Sequence, residues 1–194
     1  LLSNVRQVGE GHHRSGWPFV LHELKKYVSS NGILVDDFVE RSFSYDSIKQ
    51  PHTVSWVGIF HNPPNMPLWF DDKQAPEVIF NSRLFRDSLK HLKLGVTLSE
   101  YLASWLKTVL DVPIVSLKHP TEFLPRTWSI GKFLKNDTKL LVQIGWWLRN
   151  LEGIYQLPEQ VGYTKARLCQ PFNWVKTAEK KCVEYWLKEK SRKR

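Results

Sequence analysis

The sequence has almost no cysteine: Cys169 and Cys182 are the only two among 194 residues. No CxxC spacing and no histidine at ligand distance accompanies them, which argues against a structural zinc site, and two thiols make no disulfide framework. Both read as reduced thiols of a cytosolic protein. Long apolar runs are missing as well. No stretch nears the roughly 18 to 20 residues that a membrane-spanning helix needs. The opening "LLSNVRQVGEGHHRSGW" lacks the basic start and apolar core of a signal peptide, and it begins on Leu, so the natural start is expected upstream. Internal repeats and low-complexity tracts are absent apart from a basic end. Adjacent carboxylates occur only as Asp36–Asp37 and Asp71–Asp72, which read as surface turns.

What is present is the composition of a folded chain. Hydrophobic residues make up 42% and charged residues 24%, enough for one large domain or two small ones. The net charge of +9 is uneven, because basic residues crowd the final stretch "KTAEKKCVEYWLKEKSRKR". Nine tryptophans are scattered along the chain, a distribution that suits core packing better than a ligand platform.

Hydrophobic spacing gives an alternation of helices and strands. "GWPFVLHELKKYVSS" places Phe19, Val20, Leu24, Tyr27 and Val28 at helical intervals, with Pro18 near the first turn and Asn31–Gly32 as the stop. A short strand follows at Ile33–Val35. "TVSWVGIFH" is apolar on both faces, as in a buried parallel sheet. "APEVIFNSRLFRDSLKHLK" reads as helical in its second half, through Leu84, Phe85, Leu89 and Leu92. Residues 95–119 then spell one βαβ unit: strand "LGVTLS", Ser99 as an N-cap, a helix, and strand "VPIVSLKH". Such units argue for a parallel α/β sheet with right-handed crossovers, whose ligands bind beyond the carboxyl ends of the strands. His61, Ser99 and His119 fall at such ends. After the proline-broken stretch that starts at Pro120, a strand at 139–144, Gly145, a short helix before Pro158 and a strand in "YTKARLCQP" restart the scheme. A last helix from Val175 carries Ala178, Cys182 and Trp186 on one stripe, expected to pack against the body.

"FHNPPNMPLWF" ends the "VSWVGI" strand at a histidine and a run of prolines. Pro63, Pro64 and Pro67 remove ladder donors and fix the backbone, so this loop is expected to project outward, with His61 toward a ligand. In "GEGHHRSGW", Gly9, Gly11 and Gly16 would let backbone N–H groups approach a phosphate before a helix N-terminus, with Arg14 as the anion contact; no GK[ST] follows, so this is not a P-loop. Arg149, after "IGWW", has the bidentate geometry that suits a diphosphate. Each has a plainer alternative: a turn histidine, a terminal turn, a surface arginine. Glu122 in "KHPTE" either meets a sugar hydroxyl or caps the turn begun by Pro120.

Four segments in this order resemble glycosyltransferases of the GT-B class: "EGHHRSGWPFVLHELKKY", "VSWVGIFHNPP", "LGVTLSEYLASWLKTVLDVPIVSLKHPTE" and "NDTKLLVQIGWWLRNLEGIYQLP". Together they cover roughly residues 9 to 158. The resemblance implies an α/β chain with a parallel Rossmann-like sheet domain followed by the beginning of a second Rossmann-like unit. Residues 1–125 would be the acceptor-side domain, 126–138 a linker, and 139–194 part of the donor-side domain with the basic C-terminal helix. His61 would be the catalytic residue at the cleft, with His12, His13, Arg14, Asn62 and Asn65 at the acceptor. Gly16, Gly145, Arg149 and Glu122 would serve the donor. The family's paired-glutamate motif for the nucleotide sugar is not in these residues, and the Lys that often follows the donor-loop Arg has no clear counterpart in "WLRNLEGI". The donor side is therefore expected to be incomplete here.

The function implied is hexosyl transfer from a nucleotide-activated donor to an acceptor of unknown identity. No cofactor or metal is expected, in agreement with the lack of a DxD pair. The chain is expected to be cytoplasmic, with peripheral membrane contact through the basic C-terminal helix. A non-enzymatic nucleic-acid-binding or membrane-surface protein using that same helix is the alternative. Against nucleic acid, the basic residues gather at one end instead of alternating with aromatics across a sheet.

Overall fold

A computed structural model of the chain describes residues 16–44, 48–67, 72–120, 128–138, 140–145, 150, 152–159 and 163–168. The described residues divide into two compact units. The expected C-terminal helix from Val175, with Cys182 and Trp186, lies outside the described residues, as does Cys169.

In the first unit, α1 (Gly16–Lys25) precedes β1 (Leu34–Asp36), α2 (Val39–Phe43), β2 (Trp56–Phe60), a 3₁₀ turn at Asp72–Gln74, α3 (Pro76–Asn81), α4 (Arg83–Leu89), β3 (Leu92–Thr97), α5 (Glu100–Val109) and β4 (Ile114–Ser116). The strands form a sheet ordered β1-β2-β3-β4, every pair parallel. This is the α/β, Rossmann-like parallel sheet that the sequence predicts. Spatial order equals chain order, so among the described strands there is no reversal of the kind that opens a crevice in doubly wound sheets. Right-handed crossovers running one way put the connecting helices on one face. The core agrees: Trp56 and Phe60 of β2, Leu92 of β3 and Ile114 of β4 pack with Val39 and Phe43 of α2, Ile79 of α3, Phe85 of α4, and Leu102 and Leu106 of α5. On the other face of β2, Val57 and Ile59 are only half-buried, so this strand is not buried on both faces as its apolar sequence suggests.

Simple alternation would put Leu92, Leu94 and Val96 on one face of β3. A register shift between Trp56 and Val57 prevents this: Trp56 faces Leu92 and Val57 faces Leu94, leaving Lys93 as the extra, exposed residue of a bulge. Leu92, Gly95 and Thr97 then share the helix-covered face with Trp56, Gly58 and Phe60. Gly58 and Gly95 are partners in register, and their missing side chains make room for rings. A Cβ on Gly58 would stand 2.6 Å from the Trp56 ring and 2.8 Å from a Val39 methyl; one on Gly95 would stand 2.4 Å from Ile114 Cδ1.

Helix starts follow their caps. Ser99 Oγ accepts from the Leu102 N–H at 3.3 Å, Ser82 Oγ from the Phe85 N–H at 3.2 Å, and Pro76 opens α3. Ser99 is thus the N-cap the sequence predicts. Three sequence readings need correction. The stripe of α1 is Trp17 and Leu21, both buried, whereas Phe19 is 68% and Tyr27 73% exposed, and the helix ends at Lys25. "APEVIFNSRLFRDSL" is two helices, broken at Ser82, whose extended backbone caps the second, and Leu92 begins β3. Asp36 and Asp37 are buried and are not surface turns. For Asp71–Asp72, residue 71 lies outside the described residues.

The second unit holds α6 (Ile130–Leu134), β5 (Leu140–Ile144), α7 (Gly153–Gln156) and β6 (Thr164–Leu168), with β5 and β6 parallel. This is a second βαβ unit. Gln143 ties it together: its Oε1 accepts from the Ile154 N–H at 3.0 Å and its Nε2 donates to the Asn150 carbonyl at 2.9 Å. Trp128 is 75% exposed, unlike Trp17 and Trp56, which sit in the core as expected.

Gly58→Ala is expected to lower stability by about 1–3 kcal/mol, because the Trp56 ring and Val39 are both packed too tightly to yield. Urea unfolding measures it; an unchanged midpoint would mean that α2 shifts away at no cost.

Candidate functional site

The carboxyl ends of the first unit's strands gather several side chains capable of chemistry. The corner from β1 into α2 is built on two buried carboxylates. Asp36 is 0% exposed and accepts from three donors: the Phe38 N–H at 3.2 Å and the Ser42 hydroxyl at 2.8 Å on Oδ1, and His52 Nε2 at 3.2 Å on Oδ2. Four residues on, Glu40 is 1% exposed, and its Oε1 accepts from the consecutive backbone N–H groups of His61 at 2.7 Å and Asn62 at 2.8 Å. Its Oε2 is buried and has no hydrogen-bond partner among the described residues. Burial therefore pushes the Glu40 carboxyl up from its ordinary 4.5 to about 7, with the nearby Asp36 charge adding to the effect. The N–H groups of Asn62, of Glu40 itself and of His61 pull the other way.

His61 stands at the end of β2, an interior strand, as expected. Its Nε2 lies 3.0 Å from the Asp37 carbonyl oxygen. A carbonyl only accepts, so Nε2 carries the hydrogen, and in the neutral ring Nδ1 is then the acceptor. The ring packs on Phe38 at 4.3 Å between centroids and near Trp17 at 6.2 Å. Trp17, in the first turn of α1, also meets His119 edge-on at 6.0 Å, just beyond β4. One indole thus brings the ends of β2 and β4 together at the start of α1. Trp17 Nε1 is buried and without a hydrogen-bond partner among the described residues.

The proline loop is packed down, not projected. Asn62, Pro64 and Met66 are buried, Asn62 Nδ2 donates to the Gln74 carbonyl at 3.0 Å, and the Asn65 N–H donates to Glu77 Oε1 at 2.7 Å. Asn65 takes φ 57, a left-handed turn that asparagine tolerates better than most residues. The side-chain amide of Asn62 thus fastens the loop to the 3₁₀ turn.

Among the other predicted site residues, Gly16 opens α1 beside Trp17. Gly145 follows β5 with φ 81, a conformation glycine adopts without strain, and its N–H donates to the Leu168 carbonyl at 2.9 Å. His12, His13, Arg14, Glu122 and Arg149 lie outside the described residues. The structure brings His61 and His119 to one indole; it also brings in Glu40 and Trp17, which spacing did not single out. The signal for Glu40 was "VDDFVE" itself, with three acids too close to an apolar strand to remain in water.

No group of His, Cys, Asp and Glu suited to a metal ion occurs among the described residues, and none of their helices is long and apolar enough to cross a membrane. No family model, curated protein or solved structure matches the chain.

The Glu40 carboxyl fixes the sign of a pH effect. Its folded pKa lies above the unfolded value, so between 4.5 and about 7 the folded state holds the extra proton. Stability from this group is full below pH 4.5 and falls as pH rises toward 7, at up to roughly 1.4 kcal/mol per pH unit. In Glu40→Gln this loss should vanish. The difference in unfolding free energy between parent and variant should therefore change by roughly 3 kcal/mol between pH 4 and pH 8 in urea titrations; a constant difference would contradict it.

Proposed function

We propose that the chain transfers a sugar from a nucleotide-activated donor to an acceptor hydroxyl, with the first unit holding the acceptor and the second beginning the donor side. The observation that carries this is the Trp17 indole set against His61 and His119 where β2 and β4 end, at the start of α1. Imidazoles suit a polyhydroxylated ligand, which needs hydrogen-bond donors and acceptors, and the buried Trp17 holds both rings in one place. The parallel sheet puts these groups at the strand ends where α/β proteins bind ligands. In this reading the acceptor hydroxyl meets His61, gives its proton to Nδ1 and attacks the anomeric carbon. The bond from that carbon to the donor diphosphate breaks, and the diphosphate leaves with the bonding pair. Gly145, left-handed at the end of β5, lets backbone approach the diphosphate, and Arg149 is the cation for its charge. The resemblance to GT-B glycosyltransferases supports the same reading. The basic C-terminal stretch, on which the nucleic-acid alternative chiefly stands, lies outside the described residues.

A panel of nucleotide sugars assayed for nucleoside diphosphate release tests the reading. Transfer with at least one donor is expected, and His61→Ala should slow it by about a hundredfold or more while donor binding by calorimetry is unchanged. Transfer by His61→Ala at the parental rate would reduce His61 to a turn residue.

A further inference from the structure

We infer that Glu40 is the positioning residue of the His61 site: one carboxylate oxygen fixes the consecutive N–H groups of His61 and Asn62 at the end of β2, and the neighbouring Asp37 carbonyl sets the direction of the imidazole. The bonds are 2.7, 2.8 and 3.0 Å, and both anchors stand on the β1–α2 corner, so backbone and ring of His61 are held from one place. That His61 meets an acceptor rests on the transfer reading; the clamp does not.

The geometry is not what core stability alone would select. A buried carboxyl is favoured when both oxygens are satisfied, yet Oε2 has no partner among the described residues. A shorter polar residue at Glu40 could not span from α2 to the end of β2, and an apolar one would leave two strand-end N–H groups buried without an acceptor. The charged form of Glu40 grips these N–H groups about twice as strongly as the neutral form, since charge-assisted hydrogen bonds are the stronger. Proton loss near neutrality therefore tightens the hold on His61 even as it lowers global stability.

The titratable groups around Glu40 are Asp36 and Asp37 on its own corner, His52 beyond Asp36, and His61 from β2. From the 3₁₀ turn and α3, which also pack on α2, come Lys73, which is exposed, and the partly buried Glu77, whose Oε1 accepts from the Asn65 N–H.

Amide NMR of the full chain from pH 5 to pH 8 tests the clamp. The His61 and Asn62 amide protons should move downfield as pH rises, with a midpoint near 7, and should exchange more slowly above it. In Glu40→Gln, which keeps the acceptor oxygen but cannot titrate, that shift should disappear. In Glu40→Ala the two amides should exchange at least tenfold faster. Amide shifts that do not titrate in the parent, or that titrate equally in Glu40→Gln, overturn the inference, and both measurements stand even if Glu40→Ala fails to fold. With a donor that supports transfer, Glu40→Gln should lower kcat about tenfold with the donor KM unchanged; an unaltered kcat across the pH range also overturns it. Parent protein that titrates as described yet turns over no donor would sink the transfer reading and leave the clamp in place.

Discussion

Two acids that cannot reach water organise the first unit. Asp36 and Glu40 are both buried, and a buried carboxylate survives only if the fold brings donors to it. Asp36 draws in the Ser42 hydroxyl from α2 and His52 from the segment before β2; Glu40 draws in the backbone where β2 ends. Between them they join β1, α2 and both ends of β2 at one corner. The aromatic core closes over the same join. His52 sits edge-on to Phe43 and Trp56, the Trp56 indole donates to the Ser88 carbonyl at 2.7 Å, and Ser88 Oγ accepts from the His52 N–H at 2.9 Å. Polar satisfaction and ring packing are thus one network here.

The same network explains why the strand end is specific. In a parallel sheet the last N–H groups of a strand have no further partner in the ladder and often receive a ligand's anion. At β2 an internal carboxyl already occupies that position. Just beyond it stands an imidazole of fixed tautomer, packed near an indole shared with His119. The strand-end N–H groups of β2 are therefore already taken by the protein itself.

Much of this was legible in the sequence. Strand identity followed from "WVGIF", "LGVT" and "PIVS", and the βαβ unit at 95–119 followed from its Ser99 cap, because local propensity and burial agree there. What sequence missed had physical reasons. Periodicity chose the wrong stripe of α1, since Phe19 and Tyr27 are as apolar as Trp17 but face outward. The bulge at Lys93 broke the period of two on which face assignment depends. Asp36 and Asp37 look like a turn to any rule that ranks single residues, and their burial is decided by partners as far along the chain as His52. At the site, the strand-end position of His61 was readable, whereas its contacts with Glu40 and Asp37 are tertiary and leave no local mark. The prolines of its exit loop suggested projection, because the anchors at Gln74 and Glu77 are likewise distant in sequence.

The sequential strand order has a kinetic meaning. Each strand of the first sheet pairs with the strand before it in the chain, so every docking event closes a loop of modest length. No strand must wait for a later one to be inserted between earlier neighbours. A sheet of this order grows from one edge, and during synthesis each new βα unit meets a template already in place. The corner of Asp36 and Glu40 lies in the first such unit. Phe38 and Ser42 bond Asp36 from within the corner, whereas His52 and the end of β2 reach the two carboxyls only once β2 has added.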